Sequence, residues 1–133
     1  MGPELEKIKK RFSGKLVGNA KMQLLVCETL LLFPKEIINF ISANVWFISS
    51  FDDAWGFVLD SKDLGNKHLV FLGDELFEQD KYDQHYTVAH EIGHVMLGHK
   101  NAILAPQTKR ETTIQEAQAH QFALKYLPKN PSL

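Results

Sequence analysis

The 133-residue chain has 44% hydrophobic and 23% charged side chains, the balance of an ordinary globular domain that buries a core without disulfide staples. A single cysteine excludes an internal disulfide, and no apolar run in the sequence is long enough to span a bilayer. Since the formal net charge is only −1, the overall charge gives no sign of nucleic-acid or membrane binding. We therefore expect a cytoplasmic protein with one domain over residues 1–133.

The first part of the chain predicts three short helices. Residues 3–12 are amphipathic, and a cluster of turn-forming residues separates them from a second helix over 21–32. Pro34 then opens a third helix, because proline is common in the first helical turn. The apolar face of this third helix is formed by Ile37, Ile38 and Ile41.

Three apolar segments after these helices predict a small sheet. They cover residues 45–48, 55–59 and 68–72, and an Asp-Asp pair and a Gly-Asn pair between them are turn signals. Strands at this spacing favour a meander, in which each strand pairs with the next. The sequence therefore predicts a three-stranded, mainly antiparallel sheet.

Two longer helices complete the predicted fold. The first runs from about residue 83 to about residue 100, and the second covers 109–126 and ends before Pro128. The order of helices, strands and then helices predicts an α+β fold.

The chemistry of the chain is concentrated in the predicted helix over 83–100. His90 and His94 are four residues apart, so a helix places both imidazoles on one face, where they can bind one metal ion at about 2.0–2.1 Å. Glu91 lies off that line and is suited to take a proton from water without binding the metal. By composition alone, roughly 0.02 such His-Glu-x-x-His matches are expected in this chain. The pattern is typical of zinc metallopeptidases.

A catalytic zinc ion usually has a third protein ligand. Glu116 on the last predicted helix is our preferred candidate, because the alanines around it allow close packing on the active helix. His99, Glu111 and His120 are the alternatives. His99 is also expected to cap the end of its helix, and Glu111 to complement a helix dipole. His120 shares a helix face with Glu116, so it is also a candidate donor to the oxyanion of the transition state, or equally a polar residue that supports a ligand or the helix interface without binding the metal.

Residues 86–99, Tyr-Thr-Val-Ala-His-Glu-Ile-Gly-His-Val-Met-Leu-Gly-His, resemble the active helix of the ImmA/IrrE family of metallopeptidases. The following helix matches that family in register at Glu116, at Phe122-Ala123 and at Leu127-Pro128, whereas His120 stands where the family usually has Asn. The resemblance covers residues 34–128 and leaves the predicted N-terminal helical segment, residues 1–33, unmatched. It implies a small zincin-like domain whose sheet packs on the active helix and whose C-terminal helix carries Glu116 as the third zinc ligand.

The resemblance also implies a function. Members of this family are often associated with phages or mobile elements and act on helix-turn-helix repressors, by cleavage or by antagonism. We therefore expect a zinc-dependent endopeptidase with Glu91 as general base, acting through metal-activated water on a protein substrate such as a helix-turn-helix repressor. The alternative is a zinc-stabilised module that antagonises a repressor or other partner without cutting it. Neither reading requires direct contact with nucleic acid.

Two further features bear on the substrate. Residues 52–83 hold nine acidic and three basic side chains, which would suit a basic DNA-binding partner. A peptidase of this kind often holds its substrate as an added strand at a sheet edge. The sequence offers residues 55–59 or 68–72 for that edge and does not choose between them.

Overall fold

A computed structural model describes residues 1–50, 58–59, 68–99 and 109–128. The helices and strands of this part of the chain are, in order, α1 (Pro3–Phe12), β1 (Leu16–Val17), α2 (Ala20–Leu30), α3 (Lys35–Asn44), β2 (Val45–Ser50), β3 (Val58–Leu59), β4 (His68–Gly73), a 3₁₀ turn (Asp74–Glu78), α4 (Lys81–Met96) and α5 (Lys109–Tyr126). None of the described helices combines the length and the apolar character needed to cross a bilayer.

The helix boundaries follow from local capping. The side chain of Asn19 accepts a hydrogen bond from the Met22 amide and starts α2, and the side chain of Asp80 accepts one from the Asp83 amide and starts α4. Helix α4 therefore begins two residues earlier than the sequence pattern predicts. Pro34 is the N-cap of α3 and lies just outside its first turn.

Helix α4 also ends earlier than predicted, at Met96 instead of near residue 100. Gly98 has φ +70°, a left-handed conformation that glycine adopts without steric cost. The amide of Gly98 donates to the carbonyl of Val95, and the amide of His99 donates to the carbonyl of His94. These two bonds form a Schellman motif, which turns the chain back over the last turn of the helix.

The predicted sheet topology is wrong. The sheet has the order β1-β2-β4-β3, and β1, β2 and β4 run parallel to one another. Only β3, through Val58 and Leu59, pairs antiparallel with β4. The first part of residues 55–59 and the two predicted turns lie outside the described residues. A small sheet combined with helices remains, but it is neither three-stranded nor mainly antiparallel.

The burial of β2 and β4 explains this pairing. The two strands are matched over six residue pairs, from Val45 with His68 to Ser50 with Gly73. Both carry apolar runs, as central parallel strands do, and Phe47 and Val70 are fully buried where the strands pair. Pairing β2 with β4 buries these side chains, and β3, which follows β2 along the chain, takes the outer position beside β4.

One hydrophobic core joins the sheet to the helices. Fully buried side chains come from both of the first two helices, from β2 and β4, and from α4; the largest include Phe12, Met22, Leu25, Phe47, Leu72 and Ile92. Cys27 is buried in the same core, where it packs as a small apolar side chain, and burial raises the pKa of its thiol to about 11. The core thus packs against the apolar face of α4, and the face that carries the two histidines is turned toward α5.

Candidate metal centre

Helix α4 presents His90 and His94 on one face. Val88, Ala89 and Ile92 are fully buried against the core, whereas the two imidazole side chains keep 16% and 13% of their surface exposed. The ring centroids of His90 and His94 are 4.7 Å apart. The i, i+4 spacing therefore places two imidazoles side by side at the surface of the helix, as the sequence predicts.

Gly93 lets α5 approach this face closely. A Cβ atom at position 93 would lie 3.1 Å from Cδ1 of Phe122 and 3.3 Å from the carbonyl oxygen of Ala119. Ala119 and Ala123 are fully buried in the same contact, and Phe122 stacks on Phe33 with ring centroids 5.8 Å apart. This close contact accounts for the glycine, which inside a helix otherwise costs about 1 kcal/mol relative to alanine.

The close contact of the two helices brings Glu116 to both histidines. Its carboxylate oxygens lie 3.1 Å from Nε2 of His90 and 3.2 Å from Nε2 of His94. One ligand atom from each of the three residues can be chosen so that all lie within 4.8 Å of one another. His90, His94 and Glu116 therefore form a group that could hold a metal ion.

The donor set and spacing of this group fit zinc. Zinc binds imidazole nitrogen and carboxylate oxygen at about 2.0–2.2 Å, so adjacent ligand atoms of a tetrahedral site lie roughly 3.3–3.5 Å apart. The two nitrogen–oxygen distances given above, each to a different oxygen of Glu116, are close to that value. Glu116 keeps 55% of its side-chain surface exposed, so the group opens toward solvent on one side.

The carboxylates and burial affect the two histidines differently. Burial by itself lowers the pKa of His90, but the carboxylates of Glu91 and Glu116 outweigh it and raise the pKa above its ordinary value. For His94, burial is the largest effect and lowers the pKa. The nearby rings of His90 and His99 lower it further, because they disfavour the protonated form of His94. His94 therefore keeps an unprotonated ring nitrogen at neutral pH, which metal binding requires.

Glu91 lies beside the group and is not one of its members. Its side chain is only 11% exposed, and its Oε1 atom is 3.9 Å from Nδ1 of His90, on the ring edge opposite to the one that faces Glu116. This distance is too long for a hydrogen bond. The placement agrees with the expectation that Glu91 is close to the ligands without being one.

The alternative third ligands are not in this group. Glu111 is exposed in the first turn of α5. His99 was expected to cap the end of α4, but both nitrogens of its ring have side-chain partners. Its Nδ1 atom is 2.9 Å from Nδ1 of His94, and its Nε2 atom is 2.8 Å from Oε1 of Gln118. Nδ1 of His120 is 2.6 Å from the hydroxyl of Tyr86.

Gln118 and Tyr86 are the two residues near the site whose contacts the sequence did not reveal. Gln118 is exposed on α5, and its pairing with His99 depends on how α4 ends and how α5 packs. Tyr86 shares the face of His90, with ring centroids 5.7 Å apart. That shared face is a signal in the sequence, although a tyrosine at such a position is more often a core aromatic.

Comparisons of the chain with protein-family models, with curated proteins and with solved structures find no match. The inference from structure to function therefore depends on the residues of the candidate site and on their geometry.

Replacing Gly93 by valine should destabilise the metal-free protein by about 1–3 kcal/mol, the usual cost of adding carbon atoms to a packed contact. The new side chain would meet Phe122 and the backbone of Ala119. Urea unfolding in the presence of a chelator measures the change. Ala117→Val is the matched control, because Ala117 is exposed on α5 and pays only a helix-propensity cost of about 0.7 kcal/mol at most. Equal destabilisation by the two variants would contradict the close-contact role of Gly93.

Proposed function

We propose that this protein is a zinc-dependent endopeptidase of the kind that the ImmA/IrrE resemblance implies. The observation that carries the proposal is the convergence of His90, His94 and Glu116 at one point. Two imidazoles and one carboxylate are a ligand set of catalytic zinc sites, which keep a further coordination position for water or substrate. The exposure of Glu116 supports this reading, because a substrate must reach the site from solvent.

Zinc held by these residues would lower the pKa of a water molecule to about 7 and polarise the carbonyl of the scissile peptide bond. Glu91 is the only other carboxylate among the described residues that is placed directly beside the ligand histidines. We assign it the role of general base, which takes the proton from water and passes it to the leaving amine. A purely structural zinc site has no need of this carboxylate, so its presence favours the enzyme.

The pair formed by Tyr86 and His120 is suited to stabilise negative charge on the substrate oxygen. Burial, together with the charge of Glu116, raises the pKa of Tyr86, so the phenol keeps its proton at neutral pH. When that phenol donates to Nδ1 of His120, the proton of the neutral imidazole is on Nε2 and is available to a substrate. His120 is exposed one turn after Glu116 on α5. The pair therefore supports the oxyanion role proposed for His120.

A protein segment is the substrate class that the fold fits best. Strand β3 is the terminal strand of the described sheet beside β4, and it contacts α4, the helix that carries both histidines. Strand β4 is paired with β2 along its length and with β3 at Leu69 and Val70. Of the two segments offered by the sequence, the one that contains β3, at Val58 and Leu59, is therefore the better candidate edge for an extended peptide. The proposed natural substrate is a helix-turn-helix repressor.

Incubation of the zinc-loaded protein with candidate helix-turn-helix repressors, followed by mass spectrometry of intact products, tests this function. We expect one or a few new termini in the cognate repressor, and none when the protein is first stripped of metal with a chelator. Stable binding without new termini, with zinc in excess and long incubation, would contradict cleavage and favour the non-catalytic antagonist. Rapid cutting of casein at many sites would contradict a dedicated substrate.

A further inference from the structure

A chain of hydrogen bonds leads away from the candidate metal group through His99 to Gln118. The Schellman turn that ends α4 folds the backbone of His99 over His94, and it brings the two rings to 2.9 Å between their Nδ1 atoms. The far nitrogen of His99 then reaches Oε1 of Gln118 at 2.8 Å. Both distances are within the range of good hydrogen bonds. The chain thus joins the end of α4 to α5 beside His94.

The acceptor at Gln118 favours one arrangement of protons along these hydrogen bonds. The amide oxygen of Gln118 can only accept, so Nε2 of His99 must carry the proton and donate it. In a neutral imidazole the other nitrogen is then an acceptor, so Nδ1 of His99 accepts from Nδ1 of His94. This bond leaves a proton of His94 on Nδ1, so that Nε2 can give its lone pair to a metal ion held together with Glu116; without the ion, the carboxylate of Glu116 can only accept and favours a proton on Nε2.

We infer that His99 and Gln118 are positioning residues that hold His94 in the tautomer and ring orientation required for binding the metal ion. Their chain takes the place of the carboxylate or backbone carbonyl that usually accepts the second N–H of a metal-binding histidine. The inference rests on the proposed zinc site, since it concerns one of its three ligands. It also goes beyond that site, because it assigns a role to an exposed glutamine on the surface of α5.

The direction of donation along these hydrogen bonds determines whether His94 can bind a metal ion. If the group at position 118 were a donor, His99 would accept at Nε2 and carry its proton on Nδ1. That proton would point at Nδ1 of His94, which would then have to accept and move its own proton to Nε2. A protonated Nε2 cannot bind a metal ion. An acceptor at position 118 therefore favours the metal-binding form, and a donor opposes it.

Zinc affinity, measured by competition with a chromogenic chelator, tests this inference with two charge-matched pairs of variants. Gln118→Glu keeps an acceptor and Gln118→Lys supplies only donors. Gln121→Glu and Gln121→Lys make the same charge changes at an exposed position one turn further along α5. We expect Gln118→Lys to weaken zinc binding by about 10–100-fold relative to Gln121→Lys, the usual cost of losing an outer hydrogen-bond partner of a ligand. Gln118→Glu should bind zinc at least as tightly as Gln121→Glu.

Two spectroscopic measurements separate positioning from a general loss of structure. The visible spectrum of the cobalt-loaded protein should change in Gln118→Lys and stay unchanged in Gln121→Lys. The ¹⁵N shifts of the histidine rings, recorded at pH 8 with zinc bound, should show His99 protonated on Nε2 and His94 protonated on Nδ1. A His99 proton on Nδ1, or equal zinc affinity of the two lysine variants, would overturn the inference. Failure of the unmodified protein to bind zinc would refute the proposed zinc site and this inference together, whereas normal zinc binding with a His99 proton on Nδ1 would overturn the inference alone.

Discussion

Replacing Glu91 by glutamine should reduce peptide-bond cleavage by at least about 10²–10⁴-fold, the usual contribution of general acid–base catalysis, while zinc stays bound. The amide has nearly the same shape as the carboxylate, but it cannot take a proton from water. Glu91 is buried and lies outside the group of three candidate ligands, so the fold and the zinc affinity should change little. Cleavage rates and zinc content of the purified variant, measured side by side, test both parts of this prediction.

Glu75→Gln is the matched control, because it removes the same charge from an exposed position in the 3₁₀ turn before α4. It should cleave the substrate at the rate of the unmodified protein. If Glu91→Gln also cleaved at that rate, the general-base role would be wrong, and the observed cleavage would need another origin. If Glu91→Gln lost its zinc, Glu91 would have to be regarded as a metal ligand or as a structural support for one.

The part of the site that depends on local geometry was predictable from the sequence. His90 and His94 share a helix face because of their spacing alone, and the structure places them together. Glu116 is 22 residues beyond His94, so its approach depends on how two helices pack. The sequence nevertheless carried a signal of that packing, since Gly93 and the buried alanines of α5 are small residues that allow close approach.

The sheet was not predictable in the same way. Strand β1 has only two residues, Leu16 and Val17, and pairs with β2 across an intervening pair of helices. No periodicity is visible in so short a segment. The parallel pairing of β2 with β4 is equally non-local, because it is decided by burial of both strands and not by the turns between neighbouring strands. The order of the strands along the chain suggested a meander, but burial of the apolar strands β2 and β4 in the core favours their pairing with each other.

The side-chain contacts around the candidate ligands could not be predicted from sequence patterns either. A histidine at the end of a helix is commonly a favourable partner of the helix dipole, and this was the expected role of His99. The left-handed turn at Gly98 changes that role by directing His99 toward His94. The two histidines do not reveal this contact by themselves. It depends on the backbone conformation of Gly98, which lies between the end of α4 and His99.

Replacing Glu116 by alanine should weaken zinc binding by more than about 100-fold, because losing a ligand must cost more than losing an outer hydrogen-bond partner of a ligand. Both carboxylate oxygens of Glu116 face ligand nitrogens, so the variant would leave only two imidazoles to hold the ion. Zinc at a concentration of 100 times its dissociation constant stabilises the folded state by about 2.7 kcal/mol. The rise in melting temperature on adding zinc should therefore disappear in this variant at zinc concentrations that stabilise the unmodified protein.

Glu111→Ala is the control that tests the choice of ligand, because Glu111 is an exposed carboxylate on the same helix and was itself a candidate from the sequence. It should keep the zinc affinity and the thermal shift of the unmodified protein. His120→Ala should also keep its zinc, since its ring is bonded to Tyr86 and not directed into the ligand group. Full zinc occupancy in Glu116→Ala, together with loss of zinc in either control, would show that the third ligand is elsewhere. Because calorimetric titration counts bound zinc directly, it gives this answer whether or not a substrate has been found.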